Sequence, residues 1–274
     1  MQVLCSAVLT VALALLTSGC TGSGPSGSAS EGSATGGSTS ARTAVETAAP
    51  HLGDCRALSA SAVDEPDDDS PPVPCRGPHT SETFAVGTFA GRLAEVSVDD
   101  ERLSSKVLGR CERGFRRYVG ADASLALRTV LTWAWFRPSP ETWQAGARWY
   151  RCDLVASGPD GLLELRGTTR DVLLGRPADR WLLCAVGERV SDATRVPCDQ
   201  PHTWRAVTTV VLGEAATAWP GARRVEVRTR DFCSDSVGGW LGYPVDYTYG
   251  YTWLGPAEWQ AGSRRSVCWA RTNG

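Results

Sequence analysis

The stretch Pro140–Cys152, P-E-T-W-Q-A-G-A-R-W-Y-R-C, decides how the whole chain is organised, because a close copy of it follows further on. The copy is Pro256–Cys268, P-A-E-W-Q-A-G-S-R-R-S-V-C, and both stretches fit the pattern P-x2-W-Q-A-G-x-R-x3-C. A pattern of this length that contains a tryptophan is not expected to recur by chance. The sequence therefore predicts two copies of one structural unit.

A second shared motif lies upstream of each copy of this stretch. It reads V-P-C-x2-P-H-T, covers Val73–Thr80 and Val196–Thr203, and contains two of the three histidines in the chain. The β-branched and aromatic residues that follow the motif predict a strand in each copy, over 83–89 and over 206–212. The second motif supports the same duplication independently of the first.

The next segment of each copy has the spacing of a helix. In the first copy a carboxylate-rich start at Asp99 is followed by apolar residues at three- and four-residue intervals up to Tyr118, and Gly120 is placed to end the helix. The second copy keeps the interval from a cysteine to this final glycine, but Gly238 and Gly239 fall inside it. We therefore expect the second helix to be interrupted.

Two more predicted strands in each copy enter and leave the tryptophan stretch. Each copy thus reads β-β-α-β-β, which predicts an α+β fold of two tandem, disulfide-bonded units, each an antiparallel sheet with one helix. The predicted boundaries place the first copy at residues 48–157, a connection at residues 158–178 and the second copy at residues 179–274.

The N-terminus predicts export and lipidation. An apolar run ends at Ser18-Gly19-Cys20 and is too short to span a bilayer, so residues 1–19 are predicted to be a lipoprotein signal peptide and Cys20 to carry a diacylglyceryl anchor. A plain secretory signal is the alternative, since Thr17 replaces the usual leucine and no basic residue precedes the run. Residues 20–47 would then be the lipidated cysteine and a disordered Gly/Ser-rich tether. We expect the folded part to lie on the outer face of the cytoplasmic membrane.

The composition argues against a general nucleic-acid binder, because the net charge is −2 and the pI is about 6.0. Arginine supplies nearly all the positive charge, since Lys106 is the only lysine. The chain contains no Walker, dinucleotide-binding, H-E-x-x-H or G-x-S-x-G pattern. We therefore expect no cofactor, no metal ion and no nucleic-acid partner.

Each copy contains four cysteines, which is typical of an exported, disulfide-bonded unit. Bridges confined to each copy leave three connectivities per copy, and we favour pairing the first cysteine with the second and the third with the fourth. The pairs are then Cys55–Cys75, Cys111–Cys152, Cys184–Cys198 and Cys233–Cys268. Zinc held by the two C-x3-H pairs is the alternative, but no C-x2-C is present and an exported chain favours oxidation.

His79 and Glu82 are the candidate residues for acid–base chemistry. The proline before His79 fixes the local backbone, and Glu82 lies three residues after the histidine. The second copy has His202 but carries Arg205 in place of Glu82, so the pair is not a property of the unit. The structural interpretation is that the ring N–H of each histidine donates to a carbonyl and caps a strand.

The two tryptophan stretches are candidate binding loops. Tryptophan and arginine dominate many protein contacts, and sugars and peptides stack on tryptophan. The candidate binding residues are Trp143, Gln144, Arg148, Trp259, Gln260 and Arg264. The alternative is a tight loop between two strands, in which glycine takes a positive φ, tryptophan packs on the helix and arginine holds the loop.

An acidic, proline-rich loop at residues 64–72 lies between Cys55 and Cys75. It lacks the D-x-D-x-D-G order of a calcium loop and has no counterpart in the second copy. We interpret it as a solvated insertion.

The lipoprotein start, Asp54-Cys55, and the V-P-C-x2-P-H-T and W-Q-A-G-x-R-x3-C motifs resemble the actinobacterial septum formation domain family. The resemblance covers residues 53–269 as two divergent copies. It implies an actinobacterial envelope protein linked to formation of the division septum, and it implies no catalytic residue.

Three classes of function follow from these observations. The first is a lipid-anchored, non-enzymatic module that binds an unknown envelope protein, peptide or wall partner through one or both tryptophan loops, because two similar surfaces on a tether give avidity. The second is an envelope hydrolase or transferase that uses His79 with Glu82 in the first copy. The third is a structural scaffold without a ligand.

Overall fold

The structure, a computed structural model, describes residues 49–272 of the 274-residue chain. The predicted signal peptide, the lipidated Cys20 and the tether lie outside the described residues. Within that range the chain forms two five-stranded sheets, each packed against one long helix. All strand pairs are antiparallel, so the predicted α+β class is confirmed. Between residues 49 and 272, no helix has the length and apolarity needed to cross a bilayer.

The first unit, residues 49–162, contains the first sheet. Its strands are β1 (Cys55–Arg56), β2 (Ser81–Thr88), β3 (Leu131–Phe136), β4 (Trp149–Gly158) and β5 (Gly161–Leu162). Its helices are α1 (Ala60–Val63), α2 (Glu101–Val119), α3 (Ala123–Ala126) and α4 (Pro140–Gln144), with a 3-10 turn at Gly91–Ala94.

The second unit, residues 179–272, contains the second sheet. Its strands are β6 (Leu183–Val186), β7 (Thr194–Pro197), β8 (Trp204–Val211), β9 (Tyr249–Thr252) and β10 (Arg265–Arg271). Its helices are α5 (Ala222–Leu241) and α6 (Pro256–Gln260), after a 3-10 turn at Asp179–Trp181.

The two sheets have the same strand order. The first runs β1-β2-β4-β3, with β5 paired to the end of β4, and the second runs β7-β6-β8-β10-β9. An isolated bridge from Cys55 to Val73 takes the place of β7 in the first unit. Both central pairs are bulged at matched residues, Phe84 in β2 and Val207 in β8. Residues of the two units can therefore be matched one by one.

The long helix of the first unit, α2, has the ends that its sequence predicts. The Asp100 side chain accepts a hydrogen bond from the backbone N–H of Arg102 at the N-terminus, and Gly120 ends the helix with a φ of 76°. The buried side chains between Leu103 and Val119 pack in one apolar core with the sheet. The sequence periodicity therefore identified the packed side of this helix.

The long helix of the second unit, α5, is continuous, and the prediction that glycines interrupt it is wrong. Ala222–Leu241 includes Gly238 and Gly239 without a break. A Cβ atom at Gly238 would lie 2.8 Å from the hydroxyl oxygen of Tyr247, and one at Gly239 would lie 3.2 Å from the hydroxyl oxygen of Tyr243. The two glycines therefore let tyrosine side chains pass close to the helix.

The sheet face opposite the helix is polar in the first unit. The buried Arg151 guanidinium pairs with Asp153 at 2.8 Å and with Asp68 at 2.6 Å. The Thr83 hydroxyl donates to Asp153 at 2.7 Å and accepts from Arg56 at 3.0 Å. Because Asp68 belongs to the acidic loop, this loop docks on the sheet, and the interpretation of it as a solvated insertion is wrong at this residue.

The same face is apolar in the second unit. The residues matched to Thr83 and Asp153 are Ala206 and Trp269, and both lie in a buried cluster with Trp204. One fold can accommodate either set of residues. Buried charges are tolerated when they are paired, and well-packed apolar side chains can replace such a network without loss of stability.

Four disulfides hold the two units: Cys55–Cys75, Cys111–Cys152, Cys184–Cys198 and Cys233–Cys268. They are the pairs favoured from the sequence. In each unit one bridge joins the long helix to a central strand, and the other joins the first strand to the loop before the P-H-T motif. Because Cys75 and Cys198 are oxidised, their thiolates are not free to bind zinc as in the alternative interpretation.

The connection between the units packs on the first unit. We call residues 165–174 the strap; its Leu165 and Leu173 side chains are buried in the core of the first unit. Beyond the strap, the units meet through an antiparallel bridge between Thr129 and Leu182. The backbone N–H of Leu183 also donates to a carbonyl of the first unit at 2.9 Å. The two sheets are thus joined by hydrogen bonds as well as by the chain.

Candidate functional site

The tryptophan, arginine and glycine of the shared pattern fix the shape of the first tryptophan loop. The Trp143 ring is buried, and its Nε1–H donates to the Val96 carbonyl at 3.2 Å. The Arg148 guanidinium lies 4.1 Å from the ring centroid. It donates to the carbonyls of Ala94 and Trp143, each at 2.7 Å. Gly146 has a φ of 102° at the turn.

The second tryptophan loop repeats this geometry. Trp259 is buried and donates to the Thr217 carbonyl at 2.9 Å. The Arg264 guanidinium lies 4.2 Å from its ring and donates to the Trp259 carbonyl at 2.6 Å. Gly262 has a φ of 98°. Because both rings face inward and both guanidinium groups bind loop carbonyls, neither pair offers an open stacking surface.

Each loop has an exposed glutamine among the candidate binding residues. Gln144 and Gln260 are the last residues of α4 and α6 and are exposed to solvent. Of the candidate binding residues, only these two present their side chains outward, since both tryptophans and both arginines make the internal contacts described above.

The His79 side chain is buried two residues before the start of β2. It is 1% exposed, and its Nδ1 lies 2.9 Å from the Gly77 carbonyl oxygen. His202 makes the matched contact, with Nδ1 at 2.8 Å from the Gln200 carbonyl oxygen. A protonated Nδ1 in each unit would donate to the carbonyl two residues earlier, which is the contact that the structural interpretation of these histidines expects.

Glu82 is held by four hydrogen bonds. Its carboxylate accepts from the Tyr118 hydroxyl, from the Thr168 hydroxyl at 2.8 Å, and from the Thr169 backbone N–H and hydroxyl at 2.7 and 2.6 Å. Burial pushes the pKa of Glu82 upward, but the hydrogen bonds from Thr169, Tyr118 and Thr168 outweigh it and hold the pKa below its ordinary value. Glu82 therefore stays ionised and anchors the strap to the first unit.

The structure gives His79 and Glu82 different partners. No hydrogen bond joins their side chains within the described range, and neither lines the clefts described below. A general base needs an accessible substrate within hydrogen-bond reach. The arrangement therefore fits strand capping and strap anchoring better than acid–base chemistry.

A cleft of about 500 Å³ on the first unit brings together residues that the sequence analysis did not single out. Four arginines line it: Arg110, Arg113 and Arg117 from α2, and Arg170 from the strap. The three helical arginines are spaced i, i+3 and i+7, which places them on one side of α2. This spacing was available in the sequence, whereas the position of Arg170 depends on how Glu82 docks the strap.

Two tyrosines form part of the wall of this arginine cleft. Arg110 donates to the Tyr150 hydroxyl at 3.1 Å, and the Arg170 guanidinium lies 4.8 Å from the Tyr118 ring centroid. Burial, followed by the hydrogen bond to Glu82, raises the pKa of Tyr118 to about 12. Tyr118 is therefore neutral at physiological pH and adds no negative charge to the cleft.

The arginine cleft is cationic because no carboxylate lines it. None of its four arginines forms an ion pair with another residue between 49 and 272. Guanidinium groups bind phosphate and carboxylate through paired N–H donors, and several together concentrate anions. The arrangement can hold an anionic group.

The second unit has no matched cationic cleft. Counting from the disulfide cysteine of each long helix, Phe232, Asp235 and Gly239 occupy the positions of the three helical arginines. The candidate anion site is therefore specific to the first unit. Within residues 49–272, no group of three or more His, Cys, Asp or Glu side chains is placed to hold a metal ion.

Comparison with known proteins gives one family. The sequence matches the family described as Septum formation over residues 131–268, about half of the chain. The match starts at β3 of the first unit and ends at the last disulfide cysteine in β10. No curated protein and no solved structure matches this chain. Together with four disulfides, which are typical of exported proteins, this match shows that the chain belongs to the septum formation family.

Proposed function

We propose that the chain is a lipid-anchored, non-enzymatic binding protein of the cell envelope that holds a phosphate-bearing ligand in the arginine cleft of its first unit. Membership of the septum formation family supports a septal role, and the disulfides support export. We infer a phosphate-bearing ligand because four arginines line one cleft and no carboxylate lines it.

Phosphate fits this cleft better than a single carboxylate does. A phosphate group accepts from several guanidinium groups at once, and arginine forms bidentate bonds to it. The net charge of the chain is −2, so a cationic cleft is a local feature and not a consequence of overall composition. The tyrosine wall of the cleft fixes the position of two of the arginines.

The proposal includes the predicted anchor at Cys20 and the tether at residues 20–47. The anchor would keep the cleft within reach of the phosphate groups of the membrane surface and of envelope polymers attached near it.

We also propose that the two units are copies of one ancestral unit. Matched strand order, matched bulges at Phe84 and Val207 and matched disulfides support the duplication. In this proposal Trp143 and Trp259 stabilise their loops, and of the candidate binding residues Gln144 and Gln260 are left for a partner.

The proposed ligand class is tested by charge reversal on α2. We expect Arg113→Glu with Arg117→Glu to weaken binding of polyphosphate, and of vesicles containing phosphatidylglycerol, at least tenfold, because two attractive charges become repulsive. Fluorescence anisotropy measures the first probe and co-sedimentation the second. Binding to polyphosphate alone identifies a soluble polymer, and binding to vesicles as well identifies lipid head groups.

The matched control is Arg223→Glu with Arg224→Glu on α5. Both residues are exposed and lie outside the arginine cleft, so this variant carries the same change in net charge. It should bind both probes almost as the unchanged protein does. Equal losses in the two variants would show that only total charge matters, and the proposed site would be wrong.

A further inference from the structure

The strap occupies a groove on the first unit through backbone hydrogen bonds. Leu165 and His79 exchange two of them, at 2.7 and 3.2 Å, as neighbouring strands do. Further along, Gly167 donates to the Cys75 carbonyl at 2.8 Å. Asp171 and Leu173 donate to the last carbonyls of α2, at 2.8 and 2.9 Å. The groove thus binds an extended segment along the P-H-T motif and the end of the long helix.

The matched groove of the second unit is open. A cleft of about 820 Å³ lies there, lined by Cys198, His202, Arg205 and Trp240 among others. These four residues match Cys75, His79, Glu82 and Tyr118, the residues that hold the strap in the first unit. Among the described residues, which extend to 272, no segment makes the corresponding contacts.

The backbone groups that would receive an extended segment have no partner in the described part of the chain. In the first unit the N–H and C=O of His79 and the carbonyl of Cys75 are all bonded to the strap. The matched groups of His202 and Cys198 form no such bonds. The side chain of Trp240, which matches the buried Tyr118, is 50% exposed at this groove.

The charge at the centre of the groove is inverted between the units. In the first unit the Glu82 carboxylate accepts from Thr168 and Thr169 of the strap. In the second unit Arg205 stands at that position and pairs through one nitrogen with Asp179 at 2.6 Å. A guanidinium has five donors, and a pair this exposed contributes little stability, so Arg205 can also bind a carboxylate from a ligand.

We infer that the open groove of the second unit binds an extended segment of a partner protein that carries an aliphatic residue beside His202 and, three or four residues later, an aspartate or glutamate on Arg205. The spacing is that of the strap, in which Leu165 lies beside His79 and Thr168 and Thr169 face Glu82. Arg176, Arg205, Asp179 and Asp199 line the groove and balance in charge, so the acidic preference depends on the Arg205 donors that Asp179 leaves free. Strand addition of this kind obtains affinity from the backbone and specificity from side chains.

The strap itself supplies the probe. A blocked, labelled peptide of residues 165–174, L-R-G-T-T-R-D-V-L-L, is made with Thr169→Asp and, for comparison, with Thr169→Lys. We expect the chain without its signal peptide to bind the Asp peptide at least tenfold more tightly than the Lys peptide in fluorescence anisotropy. The Arg205→Glu variant should reverse this preference, because the sign of the groove charge is reversed.

The preference between two peptides is a readout that a misfolded variant cannot reverse, and circular dichroism checks the fold of each protein. The Arg113→Glu/Arg117→Glu variant should keep both affinities, which separates this inference from the proposed arginine cleft. The inference is overturned if neither peptide binds at millimolar concentration or if Arg205→Glu leaves the preference unchanged. Self-association that Arg205→Glu abolishes would overturn it too, because a second copy would then be the occupant.

Discussion

Glu82 is the residue through which the connection between the two units is fixed to the first one. Its carboxylate accepts hydrogen bonds from Tyr118 of α2 and from two consecutive strap residues, Thr168 and Thr169. The pKa of Glu82 lies below its ordinary value of 4.5 in the folded protein. Folding is therefore coupled to the ionised form of this carboxyl.

Replacement of Glu82 by glutamine should lower stability in a pH-dependent way. Because the folded pKa is depressed, the ionised carboxylate stabilises the protein above pH 4.5, and this contribution is lost as the pH falls through the folded pKa. We expect Glu82→Gln to cost about 1–3 kcal/mol at pH 7. The difference should narrow at pH 3, as measured by urea unfolding at both pH values.

The control for this measurement is Glu188→Gln, at an exposed glutamate of the second unit. It should change stability little at either pH. A constant difference between the Glu82→Gln variant and the unchanged protein from pH 7 to pH 3 would contradict the assigned role.

At the scale of the elements, α5 shows why a helix can contain adjacent glycines. Gly238 lies under Tyr247, whose hydroxyl donates to the Ser234 carbonyl at 2.8 Å, so the ring is fixed across the helix. Gly239 lies under Tyr243, which is 67% exposed and therefore free to move. The packing of the tyrosine on the helix therefore requires glycine at position 238 more than at position 239.

Alanine at each position tests this difference. We expect Gly238→Ala to destabilise the protein by about 1–3 kcal/mol, because the new methyl group overlaps the Tyr247 ring. Gly239→Ala should leave stability within about 1 kcal/mol of the unchanged protein, because alanine favours helix and Tyr243 can shift. Thermal and urea unfolding measure both.

A second change makes the Gly238 prediction specific. Tyr247→Phe removes the hydroxyl oxygen that lies closest to the added methyl group, so it should reduce the cost of Gly238→Ala. If Gly238→Ala and Gly239→Ala are equally tolerated, the close passage of Tyr247 does not explain the glycine pair.

The elements also show what sequence patterns can and cannot supply. The periodicity of α2 predicted the helix, and the cysteine spacing favoured the observed bridges among three connectivities per copy. The P-H-T motif offered a carbonyl contact as one of two interpretations of its histidine. Each of these features depends on local or paired residues. The continuity of α5 depends on Tyr247, which approaches from outside the helix. The ion pair between Asp68 and Arg151 depends on how the acidic loop folds back over the sheet. Neither contact leaves a local signal.

At the scale of the whole molecule, two units with one strand order carry different surfaces. The first unit has the arginine cleft and a groove filled by the strap. The second has an open groove, and the sheet face opposite its helix is apolar. The arginine spacing on α2 could have been read from the sequence. The sequence could not predict that the strap contributes to the cleft or that the groove of the second unit is open, because both depend on where the connection packs.

The most direct test of the proposed function is the distribution of the full-length chain in dividing cells. A fluorescent fusion is compared with the Arg113→Glu/Arg117→Glu variant and the Arg223→Glu/Arg224→Glu control, and the ratio of signal at the septum to signal at the side wall is measured. The proposal predicts septal enrichment for the unchanged protein and the control, and an even distribution for the cleft variant. Enrichment of the cleft variant equal to that of the control would contradict it.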